Sequence, residues 1–280
     1  MFERFHRSVA LVKASWAVLR SDKELLVFPA VSFVLTIIVS ISFLVPLYAT
    51  GALEHLSNRQ VDPVAPVLAF LYYLVTYTVI IFSNTALVGA AMIRLDGGDP
   101  TLRDGFRIAW SRLPTIIGYA LISATVGMVL RAISERGGIV GVIVASIIGI
   151  AWSLATFLVI PVLVVEKMGP IASIKRSSGL LRQTWGEQLI GGGGIGLVFG
   201  LIALGAIVLV GLLVVGLAAV SPVLAVAGIV VGVLVIALIA LIGAALSGIF
   251  QASLYRFATK GDGGPMFPVA TLQGAFRPKR

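Results

Sequence analysis

The sequence predicts an all-α integral membrane protein, with six transmembrane helices arranged as three repeated hairpins, each preceded by a cytoplasmic interfacial amphipathic helix. Three observations predict it: charge confined to short segments, basic residues gathered on one side of the spans, and a basic pattern that recurs three times.

Of the 280 residues, 59% are hydrophobic and only 12% are charged, against about a quarter charged in soluble domains. Residues 26–47, 66–93, 113–130, 139–165 and 189–250 contain no Asp, Glu, Lys, Arg or His. A hydrocarbon core of about 30 Å takes roughly 20 helical residues to cross, so each run holds at least one span. A helix bonds its own backbone in lipid, and these runs are too long for barrel strands.

Taken in order, an interfacial helix over residues 1–24 leads to spans near 26–47, 66–93, 113–133 and 139–165. The long run 189–250 divides at Ser221-Pro222, a turn signal, into spans near 189–220 and 223–250. Residues 260–280 form a tail, and the whole of 1–280 is expected as one membrane domain. Three spans would also fit the long run by length, and charge decides against them. Eighteen of the 21 Lys and Arg residues fall in the N-terminal 25 residues, in 94–112, in 167–182 and from Arg256 onward; only Arg59, Arg131 and Arg136 lie on the other side. The positive-inside rule then puts both termini in the cytoplasm, which an odd number of spans forbids. No cleavable signal peptide is expected, since the first apolar run is span-length and lacks a small-residue cleavage site.

The interfacial helices show the recurrence. "KASWAVLR" (13–20), "RIAWSRLP" (107–114) and "KRSSGLLR" (175–182) align without gaps. Each has a basic residue first, a small one third (Ser15, Ala109, Ser177) and Leu seventh. In the first helix, Phe2, Phe5, Val9, Val12, Trp16 and Leu19 form one apolar stripe at spacings of three and four. In the second, Asp99 is expected to cap and Pro100 to open the helix, with Leu102, Phe106 and Trp110 on one face. Pro170 opens the third. Basic helices bearing tryptophan belong at the headgroup level, so Arg7, Lys13, Arg20, Arg107, Arg112, Lys175, Arg176 and Arg182 are the expected lipid-headgroup contacts. The hairpin ends are also alike: "AAMIRLDGGDP" (90–100) resembles "ASLYRFATKGDGGP" (252–265), and the middle one ends "LVVEKMGP" (163–170).

Several motifs that suggest chemistry do not carry it. "GGGGIG" (191–196) lacks the preceding strand and the following acid of a dinucleotide site. Gly192, Gly196 and Gly200 instead recur every fourth residue, as do Gly141, Ala145, Gly149 and Ser153, and Gly228 and Gly232, the spacing that lets membrane helices approach. "RLDGGDP" (94–100) lacks the oxygen ligands a calcium loop needs. With no Cys, and no His or acid in any run, no catalytic residue, cofactor or metal site is expected. The net charge of +9 lies beside span ends, which favours anionic lipid as partner over nucleic acid. The most polar intramembrane side chains are Asn84 and Gln251, and Pro161 is a candidate hinge late in the fourth span.

The stretch "VIPVLVVEKMGPIASIKRSSGLLRQTWGEQLIGG" (159–192) resembles a signature of the membrane-domain superfamily found beside glycerophosphoryl diester phosphodiesterases. The opening "SWAVLRSDKELLVFPAVS" (15–32) and the overall length are similar to a family of uncharacterised prokaryotic six-span proteins. The resemblance implies paired helical spans and a role tied to the envelope or to lipid. It transfers no catalytic residue, because the phosphodiesterase activity belongs to a separate soluble domain. The expectation is a non-enzymatic protein of a prokaryotic inner (plasma) membrane that binds or organises anionic lipid of the cytoplasmic leaflet, or scaffolds a complex with a membrane protein partner. A carrier or channel for a small or lipidic solute is the alternative.

Overall fold

The computed structural model describes the backbone of residues 2–49, 64–185, 195–218 and 221–273, with side chains described outside 2–8, 49, 64–65, 185, 195–203 and 270–271. Among these residues every regular element is a helix: α1 (Phe2–Ser21), α2 (Val27–Ala49), α3 (Val64–Leu95), α4 (Leu102–Ser111), α5 (Leu113–Arg136), α6 (Gly138–Ala155), α7 (Val159–Val165), α8 (Pro170–Trp185), α9 (Ile195–Ala218), α10 (Pro222–Lys260) and α11 (Val269–Gln273), with a 3₁₀ turn at Lys23–Leu26. Five stretches are long and apolar enough to cross a membrane: Lys23–Tyr48, Pro66–Leu95, Leu113–Arg136, Gly138–Val165 and Pro222–Lys260; Leu204–Ala218 is a shorter apolar one.

The chain gathers into two compact units. One comprises Met1–Leu26, Ala91–Asp99 and Thr184–Arg280, the other Val27–Ala90 and Pro100–Gln183. In the first, α9 and α10 form a close hairpin, and α1 packs on both. Gly228 and Gly232 are buried on α10. A Cβ on Gly228 would lie 2.7 Å from Leu217 Cδ1, and one on Gly232 would overlap Val210, so small residues set this approach. Ser221 caps α10 by accepting the Val223 N–H at 3.3 Å. The helix continues beyond the apolar run to Lys260 and closes at Gly261, whose φ of +80° suits a residue without a side chain.

In the second unit a core of Ile81, Ile116, Tyr119, Ala120, Val159 and Leu163 joins α3, α5 and α7. Tyr72 of α3 meets Ser40 and Phe43 of α2. The short α4 seats its small residues inward. A Cβ on Gly105 would collide with the Phe28 ring and the Ala86 carbonyl, and Ala109 is fully buried.

Three local expectations are corrected. On α1 the buried face is Leu11, Ala14, Ser15, Val18 and Leu19, while Trp16 is 46% exposed; aliphatic and small residues, not the aromatic, meet the neighbours. The cap of α4 is Thr101, not Asp99: Thr101 Oγ accepts the Asp104 N–H and Asp104 accepts the Thr101 N–H, two orphan donors satisfied at once. The fourth span is not one helix. Pro161 has no N–H for the fourth preceding carbonyl and crowds it. The helix accordingly breaks at Thr156–Leu158, with Pro161 buried in the first turn of α7. The Leu158 N–H freed by the break is buried and donates to Ser177 Oγ at 3.0 Å.

Candidate functional site

Each of the helices α1, α4 and α8 turns a basic side outward from its own unit. On α1, Lys13, Trp16 and Arg20 are exposed, spaced three and four apart and so on one face. On α4 the exposed residues are Arg103, Arg107, Trp110 and Ser111, with Trp110 69% exposed. On α8 they include Ile171, Lys175 and Arg182. At the aligned third position Ser15, Ala109 and Ser177 are all 0% exposed, while the aligned first residues Lys13, Arg107 and Lys175 all face out. At the fourth position half-buried Ser178 stands in place of an exposed Trp.

Not every expected contact reaches outward. Arg176 donates from Nε to both Glu166 carboxylate oxygens at 3.0 Å, which ties α8 to the end of α7. Arg112 fills the corner between α4 and α5, and its Nε is buried. The side chain of Arg7, and Gly192, Gly196 and Gly200, lie outside the described side chains. Gly141 is buried where a Cβ would overlap the Ile133 carbonyl, whereas at Gly149 one would meet only Leu130 Cδ1 at 3.8 Å. Asn84 and Gln251 are half-buried and belong to different units. Near Asn84, the hydroxyls of Thr76 and Ser83 are buried without a hydrogen-bond partner.

The first unit also holds a dense charge cluster that periodicity does not reveal. Arg256 of α10 has a side chain only 14% exposed and pairs with Asp96 and with Asp262, the latter at 2.6 Å. Its Nη1 also donates to the Leu95 carbonyl at 2.9 Å, one of the orphan acceptors at the end of α3. Lys260 reaches Asp96 at 3.2 Å. Arg94 pairs with Asp99 at 2.7 Å and donates to the Ser21 carbonyl at 3.2 Å. The two hairpin ends that look alike in sequence are thus bonded to one another. Their shared Arg followed by Asp was the signal available.

The carboxyls here titrate differently. The hydrogen bond from Arg256 holds Asp262 below the ordinary 3.8, helped by the Gly264 N–H, and in the other unit the Thr101 hydroxyl holds Asp104 low. Burial pushes Asp22 up, against the Glu24 N–H and Arg94. The lowered groups contribute stability above the ordinary value of 3.8, lost as pH falls through it and below. Asp22 has the opposite sign, since its ionisation opposes the fold as pH rises through its raised value. Melting temperature in detergent is therefore expected to fall on acidification from pH ~7 to ~3, and Asp262→Asn to flatten that acid limb; identical limbs in both proteins would refute the assignment.

Five apolar helices of spanning length and outward basic faces bearing tryptophan describe a multi-pass helical membrane protein. The chain belongs to a family of unknown function (DUF6159), whose family model matches residues 64–266, well over half its length. No curated protein and no solved structure matches it.

Proposed function

We propose that this chain is a non-enzymatic protein of a prokaryotic inner membrane that binds and organises anionic phospholipid at the cytoplasmic leaflet, there serving as a scaffold for a membrane partner. The observation that carries the reading is the common setting of Lys13, Arg107 and Lys175, each exposed two residues before a fully buried small residue, with Trp16 and Trp110 exposed beside the first two. Cations approach phosphates while indole rings occupy the headgroup level. In this reading α9, with 24 residues, is also a span, the fifth of six. The chain is then three hairpins (α2/α3, α5/α6–α7, α9/α10), each entered from a cytoplasmic helix, with both termini inside. The resemblance of residues 159–192 to membrane domains beside glycerophosphoryl diester phosphodiesterases points toward lipid as well, although the matching family names no such link.

Spin-labelled lipids test it. Each of Lys13→Gln, Arg107→Gln and Lys175→Gln is expected to weaken association of labelled phosphatidylglycerol about fivefold at low salt, from roughly 1 kcal/mol per basic residue, with labelled phosphatidylcholine unaffected. Equal association of both labels with the unaltered protein would end the proposal. The carrier alternative draws on the broken span and the two unpaired hydroxyls of α3, since interrupted helices line transporter sites.

A further inference from the structure

We propose that the groove between α5 and α6 holds one acyl chain of an anionic phospholipid whose phosphate sits at Arg136. The two helices touch at their junction, where Gly141 leaves room for the Ile133 carbonyl, and their contact loosens by Gly149. Between them opens a cavity of about 420 Å³ walled by Val129 and Ile133 of α5 and by Ile148, Ala151, Trp152 and Ala155 of α6. The Thr125 hydroxyl at its far end is committed to the Leu121 carbonyl at 2.8 Å. The rest of the wall is hydrocarbon and one indole, a poor host for a polar solute.

Size selects among apolar occupants. Thr125 to Ile133 spans about 12 Å of helix, so this volume has a cross-section of roughly 35 Å², less than half that of a helix about 10 Å across. A single hydrocarbon chain lies within such a section along its whole length, whereas a helix could not enter it. Both walls belong to helices able to cross a membrane, so hydrocarbon is what surrounds them. Charge supplies the orientation. The wall positions Val126, Val129 and Ile133 continue in the next step of three to Arg136, which is exposed. Glu135 is paired with Arg131 at 2.6 Å, so Arg136 makes this end of the groove net positive. In the expected topology this is the leaflet opposite the basic faces of α1, α4 and α8, and it uses none of their residues.

Trp152 is a built-in reporter. With Trp16, Trp110 and Trp185 replaced by Phe, the protein is placed in phosphatidylcholine nanodiscs containing increasing phosphatidylglycerol brominated at mid-chain. Trp152 quenching is expected to reach half at a brominated fraction about fivefold below that of random mixing. Arg136→Gln and the groove-filling Ala151→Phe should each restore random mixing. Quenching that follows random mixing in the parent and is unchanged by both substitutions overturns the site. Native mass spectrometry of the protein with all four tryptophans gives a second reading: a retained phosphatidylglycerol lost in Arg136→Gln supports it, and no retained lipid counts against it. Lys13→Gln, Arg107→Gln and Lys175→Gln leave this quenching unchanged, so failure of the cytoplasmic-leaflet proposal and failure of the groove are told apart.

Discussion

Replacing Arg256 with alanine is expected to destabilise the first unit by about 1 kcal/mol, because its guanidinium is largely buried whereas the acids it pairs with are about half exposed and screened by solvent. The loss is more than one Coulomb pair. Asp96 and Asp262 would face each other without the guanidinium between them, and the Leu95 carbonyl would lose its donor. Lys260 compensates in part, because it already reaches Asp96. Arg256→Lys keeps the charge but cannot donate to three acceptors in fixed directions, so an intermediate value is expected. Thermal unfolding in detergent measures the size. Hydrogen exchange gives the location, with protection falling together in residues 94–99 and 256–264 in the alanine variant. Unchanged melting and exchange would show that the cluster is ornamental.

Ser177→Ala is expected to cost about 2 kcal/mol, the penalty for leaving a buried donor unsatisfied. The donor is the Leu158 N–H, which the break in the fourth span releases and which donates to Ser177 Oγ at 3.0 Å. Both residues are 0% exposed, so water is not at hand to replace the hydroxyl. Alanine removes the acceptor with almost no change in volume, which separates this effect from packing. Ser178→Ala, one position along on the same helix, is the control and should be nearly neutral, since its hydroxyl bonds only the Lys175 carbonyl of its own helix. Equal melting temperatures for the Ser177 and Ser178 variants would refute the role assigned to Ser177.

Much of the helical layout was legible because lipid leaves a plain record in composition. The runs 66–93 and 113–133 correspond to α3 and α5, and Pro222 opens α10 where the Ser-Pro turn was placed. Where the helices stop was less legible. Hydropathy marks where hydrocarbon ends, and α10 continues through Arg256 to Lys260 beyond it. The break before Pro161 depends on a hydroxyl 19 residues away accepting Leu158, which no local pattern carries. Apolar periodicity gives the wrong rotation for α1 because it treats Trp16 as a core residue, although an indole also suits an exposed face beside Lys13 and Arg20. The ion cluster joins residues 160 positions apart, a tertiary fact. The likeness of the two hairpin ends hinted at shared chemistry but not that they bond each other. Of the expected lipid contacts, Arg176 is turned aside by Glu166, an acid that sequence spacing did not link to it.

Membranes differ in thickness by a few ångströms from one to another, and an unbroken span answers mainly by tilting as a rod. The fourth span is jointed instead: α6 covers 18 residues, or about 27 Å, before the break at Thr156–Leu158. The Leu158 N–H at that joint is bonded to Ser177, and Glu166 at the other end of α7 is bonded to Arg176. Held at both ends of α7, the basic helix α8 is built onto the second half of the span rather than hung from it by a loop.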